Sequence, residues 1–268
     1  MRYMFIFAIV ALFAMAGCQA AEAGILDELD VSVQVEQGSR DLDMEDSTAV
    51  TIDGFTVGIP ADEGDIEYKR AVLKVGVDVL STSGEAPDAI DLSVAGIIGV
   101  GDLEINHKLA GLDVELDGDT GLVIGAEIAI EKKLSEKTAL ALVGSAIRQT
   151  SEADVDVNLP SCVNLSGTAD VAYNEFGLAA ILKAQIIDKL DAYVGVDASI
   201  VRGDIEFDGD ISVCHHNIAI TADNDFEEED IVGIPLGVEY ALTDNDSVAV
   251  DCHLISKESV AVTYKRKF

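Results

Sequence analysis

The chain has 268 residues, with 50 Asp and Glu against 17 Lys and Arg, and a formal charge of −33; yet 49% of it is hydrophobic. Disordered acidic segments are poor in apolar residues, so this composition excludes a disordered chain. So negative a protein also lacks the Lys and Arg whose counterion release drives binding to nucleic-acid phosphates.

The 23 Gly and only 4 Pro, among many Val, Ile, Leu and Ala, point to β-structure with close backbone packing. The chain opens with an address. Met1-Arg2 precedes an apolar run from Tyr3 to Ala16, and small residues follow through Ala23. Residues 1–20 read as a secretory signal peptide, with cleavage at 17/18 or at 23/24. Met15-Ala16-Gly17-Cys18 is similar to a lipobox, which would make Cys18 a lipidated first residue. No later apolar run reaches the ~20 residues of a transmembrane helix. A membrane-spanning form must therefore be a closed β-barrel, because lipid leaves an open sheet edge unsatisfied.

From residue 24 to 268 the chain reads as one domain whose hydrophobic period is two. Val31, Val33 and Val35 alternate with Ser32, Gln34 and Glu36, and Leu73, Val75, Val77 and Val79 with Lys74, Gly76 and Asp78. The same pattern runs through Leu122–Ile130 and Val232–Leu242. Strands are predicted near 28–37, 47–58, 66–80, 90–101, 103–115, 120–131, 138–150, 171–186, 191–202, 230–242, 247–254 and 259–268. Tight polar turns at 133–137, 188–189 and 243–246 contrast with long polar stretches near 150–170 and 204–229, the second of which has room for an extra hairpin. Short turns on one side and long loops on the other are the asymmetry of outer-membrane barrels. The expected fold is all-β: a closed antiparallel up-and-down transmembrane barrel of about 12 strands, within 10–14, with short periplasmic turns and longer extracellular loops.

The last strand, Val260-Ala261-Val262-Thr263-Tyr264-Lys265-Arg266-Lys267-Phe268, carries a resemblance. With the alternating segments, it resembles the small outer-membrane β-barrel proteins of Gram-negative bacteria, of the OmpA-like and small porin type. The resemblance covers most of 28–268. It implies outer-membrane localisation, with outer-membrane lipid and lipopolysaccharide as surroundings. It also implies that Val260, Val262, Tyr264 and Phe268 form the signal read by the barrel-assembly machinery. Arg266 departs from the pattern, which usually has an apolar residue there, and the aromatic belt is thin. Alternation alone suits a soluble half-buried sheet equally, so a lipid-anchored β-sheet protein for binding or adhesion is the alternative.

In a barrel, the faces opposite the apolar ones line the lumen. They carry Lys74, Asp78, Glu127, Glu131, Lys183, Asp197, Glu239, Asp251, His253 and Lys265. Such a mixture either forms a salt-bridged plug or leaves a narrow aqueous path that favours cations. The acidic stretches around Asp154, Asp204–Asp210 and Asp223–Asp230 are a solvated rim, with calcium as an alternative use. Asp113 to Asp119 starts like a calcium loop, but Ile124 stands where its last carboxylate belongs. No resident metal or cofactor is expected. Cys162 and Cys214, in successive long loops, are the expected disulfide pair, and Cys252 is a small outward residue. The run Cys214-His215-His216 is a poor metal site, because adjacent side chains rarely converge on one ion.

No hydrolase, P-loop or dinucleotide motif is present. Asp251 and His253 share the lumen face near an outer strand end, the one arrangement that suggests an omptin-like hydrolase. The expectation is a non-enzyme, either a passive pore for small solutes or a structural envelope protein, of unspecified oligomeric state.

Overall fold

The structure, a computed structural model, describes residues 29–44, 47–52, 55–81, 89–109, 112–159, 163–213, 216–228 and 231–268. The expected signal segment, Cys18, Cys162 and Cys214 lie outside the described residues, as do the side chains of Asp113 and Glu115.

All the described elements are strands, and every pairing is antiparallel. β1 (Leu29–Met44) and β2 (Ser47–Ile52) run in one line along β3 (Phe55–Ser81). β4 (Ile90–Leu109) turns back into β5 (Leu112–Asp117) and β6 (Gly121–Ser135), again one line along their partner. β7 (Thr138–Leu159), β8 (Val163–Ile187) and β9 (Leu190–Val213) form the long wall. β10 (His216–Glu228) and β11 (Val232–Ala241) follow β9 with a register shift of one residue between them. β12 (Asp246–Ile255) and β13 (Glu258–Lys267) make a short last hairpin.

The sheet closes on itself. β13 pairs with β1 from Asp30↔Lys267 to Ser39↔Glu258, and the Phe268 amide donates to the Leu29 carbonyl at 2.9 Å. The ring is β1-β3-β4-β6-β7-β8-β9-β11-β12-β13, ten strands. Ten is at the low end of the expected range, and the reason is physical. The predicted break near 103 is absent, since β4 runs unbroken from Ile90 to Leu109, and those near 118 and 204–229 are places where a strand turns beyond the ring or shifts register while continuing in line. The 150–170 and 204–229 stretches are therefore mostly strand, because their alternation persists: Ile205 is buried, while Glu206 and Asp208 face out.

A second ring stands on the first. β12 and β13 stop at Ile255 and Glu258, so above them β10 meets β1 (Leu42↔Glu228) and β2 (Asp223↔Ala49) directly. β5 touches β7 through the bridge Gly118↔Ala153. The upper ring thus has eight strand lines: β1–β2, β3, β4, β5, β7, β8, β9 and β10.

The outward face changes character between the rings. Around the ten-strand ring it is apolar and exposed: Val75, Val77, Ile124, Ile128, Leu142, Leu178, Val196, Val250 and Val262 belong to it. On β8 this belt runs from Phe176 to Ile186, which at ~3.4 Å per residue and ~40° of tilt spans about 26 Å, the height of a membrane barrel's apolar band. Immediately beyond it the same parity turns polar: Ile200 gives way to Arg202, and Phe176 to Asn174 and Asp170. Phe176 marks one edge of the belt, and Tyr240 and Tyr264 the other.

The core lies inside the upper ring. Leu42, Ile66, Tyr68, Leu103, Ile105, Val171, Tyr173, Val201 and Phe226 are buried together there. Phe226 lies flat on Gly203, where a Cβ would overlap the ring, so glycine is required at that position. A soluble-type apolar core therefore roofs a membrane-type ring.

Candidate functional site

The lumen has a charged ceiling. Inward-facing positions just beneath the apolar core are Glu36 and Arg40 on β1, Arg70 on β3, Glu175 on β8, Glu228 on β10 and Lys257 in the β12–β13 turn, all buried. Arg40 pairs with Glu228 and, at 2.6 Å, with Glu175. Arg70 reaches Glu36 at 2.8 Å and Glu175 at 3.1 Å. Lys257 Nζ lies 2.6 Å from Glu36 and 3.4 Å from Glu175. Three cations meet three carboxylates, so the layer is neutral.

Its edges are hydrogen-bonded. The Tyr68 hydroxyl donates to Glu36 at 3.2 Å and the Tyr173 hydroxyl to Glu175 at 3.3 Å. Ser199 accepts from Arg40 at 2.8 Å and donates to Glu228 at 3.1 Å. The Arg70 guanidinium lies 4.9 Å from the Tyr68 ring centroid, a cation–π contact that also ties the layer to the core above. Buried charges are tolerated only when paired and hydrogen-bonded in this way.

Below the ceiling are two adjoining cavities that share part of their lining. The upper, about 170 Å³, is lined by Glu36, Arg70, Lys74, Glu127, Tyr193, Asp197, Asp251, His253 and Lys257. The lower, about 320 Å³, shares Lys74, Glu127, Asp251 and His253 and reaches Asp30, Glu239 and Lys265 at the end where Leu29 meets Phe268. The predicted lumen residues fall as follows. Lys74 pairs with Glu127 at 2.9 Å and Lys183 with Glu131 at 2.8 Å. Asp78 pairs with Lys267 at 2.9 Å and Lys265 with Asp30 at 3.4 Å. Glu239 accepts a hydrogen bond from Ser247. Asp197 packs over Gly233.

Asp251 and His253 line both cavities, inside the barrel rather than at an outer cleft, and His253 Nδ1 is 3.4 Å from Ser259 Oγ. Among the described residues, no three His, Cys, Asp or Glu side chains gather as a metal site.

The closed ten-strand ring, its apolar belt and its polar lumen decide the architecture. The fold is that of an outer-membrane β-barrel. No family model and no curated protein matches the sequence. Solved structures with similar folds include the outer membrane protease OmpT from Escherichia coli (9% identity, TM-score 0.45, 91% of this chain and 98% of that one). The translocator domain of the autotransporter NalP from Neisseria meningitidis is another (12% identity, TM-score 0.41, 97% and 98% covered). A third is the toluene transporter TbuX of Ralstonia pickettii (12% identity, TM-score 0.40, 90% of each chain). The likeness is one of fold alone.

Sequence reasoning missed the ceiling. Glu36, Arg70 and Glu175 lie inside the expected strands, on the same alternating faces as Gln34, Lys74 and Lys183, and extending the first strand past residue 37 would have added Arg40. Lys257 carries no such signal, since it lies in a turn.

The outer surface of the upper ring carries the acid. Glu152, Asp170, Glu206 and Asp223 stand directly opposite one another across β7, β8, β9 and β10. Asp225 faces Asp204, whose carboxyl is pushed upward by burial first and then by Asp225 and Asp223, against the pull of Arg148. Like charges directly opposite on a sheet destabilise it by roughly 0.2–1 kcal/mol per pair. Raising NaCl from 0.05 to 1 M, which shortens the screening length severalfold, is expected to stabilise the refolded protein by about 1–2 kcal/mol. Urea midpoints at each salt concentration measure this, and a flat or falling series would contradict it. Calcium at matched ionic strength separates screening, where the two salts act equally, from binding.

Proposed function

We propose that the protein is a non-enzymatic structural barrel of the Gram-negative outer membrane whose lumen is closed at rest. One observation carries this reading: a neutral, fully paired charge layer crosses the lumen under an apolar core, within a ring belted for lipid. A steady pore needs a continuous wet path, and neither layer offers one. Asp251 and His253 line the lumen cavities beneath the ceiling and not an outward-facing cleft, which supports the non-enzymatic reading. The belt favours this reading over a lipid-anchored soluble sheet, which would hide its apolar face. Outer-membrane lipid covers the belt, lipopolysaccharide adjoins the acidic upper ring, and the exposed Val260, Val262 and Tyr264 present the strand that assembly machinery would read.

Purified, heat-modifiable protein inserted into planar bilayers is the test. The expected record has no steady conductance step. A constant ohmic step with every insertion would overturn the closed-barrel reading.

A further inference from the structure

Ten strands become eight at one place in the wall, and a single turn fills it. β9 pairs with β11 as far as Ala198 and with β10 from Arg202 onward. β1 passes from β13 at Ser39 to β10 at Leu42. Between these hand-over points stands the turn Ile255–Glu258. The fork lies at the edge of the apolar belt: the outward residue on β1 changes from Val35 to Gln37, while Leu254 and Ile255 are still exposed apolar side chains.

The turn is bent into the lumen. Ser256 and Lys257 are buried, although a hairpin tip at a membrane surface ordinarily points to water. Ile255 is held at φ 85°, a region that residues with a branched Cβ avoid, and such outliers gather at moving or functional sites. The neighbouring ladder is interrupted: β9 and β11 pair at Gly233↔Asp197 and next at Leu236↔Val194, with Pro235, which has no N–H, in the gap. Ser256 Oγ and Asp197 Oδ1 pack over Gly233, buried without hydrogen bonds. The turn is thus strained and weakly supported on its β11 flank; its ends are held in the ladders at Gly233↔Ile255 and Ser39↔Glu258, and its tip is drawn inward by Lys257 to Glu36 and Glu175.

We propose that the Ile255–Glu258 turn is a gate, latched by Lys257, over a path for small cations between the lumen cavities and the outside. This rests on the closed-barrel reading and adds a route to it. Lys257 lines the upper cavity from its ceiling, so its withdrawal opens that cavity at the fork. It also leaves Arg40 and Arg70 facing Glu36, Glu175 and Glu228, and Asp197 and Asp251 add negative charge below. A path so lined passes cations ahead of anions.

Planar-bilayer recording of three proteins tests the gate: wild type, a variant with Ile255–Glu258 replaced by Asn-Gly, and Lys257→Gln. Each is first checked for heat-modifiable mobility. The shortened-turn variant is expected to pass about ten-fold more mean current than wild type, with a KCl-gradient reversal potential favouring K⁺ over Cl⁻. Lys257→Gln keeps the backbone and is expected to raise open probability severalfold; it decides the matter if the shortened turn fails to fold. Folded variants as silent as wild type would overturn the gate and leave the closed barrel standing. Wild type conducting steadily, and equally to both variants, would overturn both. An anion-preferring current would overturn the cation path.

Discussion

Arg40→Met lowers the unfolding free energy of the refolded barrel by about 3–5 kcal/mol, the usual cost of deleting one partner from a buried ion pair. Arg40 is fully buried and serves two carboxylates, Glu175 and Glu228, with Ser199 completing the contact. Methionine fills much of the same volume, so the loss is electrostatic. It leaves the layer with two cations against three acids, all of them buried side chains. Adding Glu228→Gln removes the surplus charge and is expected to recover part of the loss, giving a coupling energy in a double-mutant cycle. Urea titration of all four proteins in one lipid measures this. A single-variant loss below ~1 kcal/mol would mean that the ceiling is hydrated and that the lumen is not sealed there.

Phe226→Ala costs a similar amount, about 3–5 kcal/mol, through a cavity in the apolar core. Phe226 is buried against Gly203 and stands beside the point where β10 crosses to β1. Its loss acts first on the upper ring, because Phe226 belongs to the apolar core above the charged ceiling. The expected signature is a protein that remains heat-modifiable but whose β10 becomes sensitive to added protease. Loss of heat-modifiability instead would show that the lower ring depends on the upper one.

The fold was readable where one rule sufficed. Alternation in β1, β3, β6 and β11 identified strands and assigned each residue to a face, as Val75 and Lys74 illustrate. The terminal strand pointed to closure, and Phe268 does meet Leu29. Strand count was less readable, because Gly118-Asp119-Thr120 and the acids near 229 have the composition of loops. In the fold Gly118-Asp119-Thr120 mark a register shift within a continuing line, and β10 and β11 are related along β9 by another such shift. Burial there is supplied by partners on distant strands, which a local pattern does not encode.

The candidate site was less readable still. Parity places Lys74 and Glu127 on inward faces, yet their meeting depends on how the strands stagger around the ring. Arg40 finds Glu228 across 188 positions and Glu175 across 135. Lys257 enters the ceiling because its hairpin is short, a fact about β12 and β13 relative to their neighbours. Each such pairing is a property of ring size and stagger, not of any segment.

The two rings also impose an order of events. Every strand line of the upper ring is complete by Glu228, so its closure through β10 and β1 requires none of the last forty residues or so. The membrane ring cannot close until Phe268 has been made and β13 has reached β1. During synthesis and export, the water-facing crown is therefore free to assemble first and hold β1 near its place. The final hairpin is the piece that the membrane ring needs between β11 and β1 and the crown does not. The residues that complete the ring and the weakest part of the wall are therefore the same few.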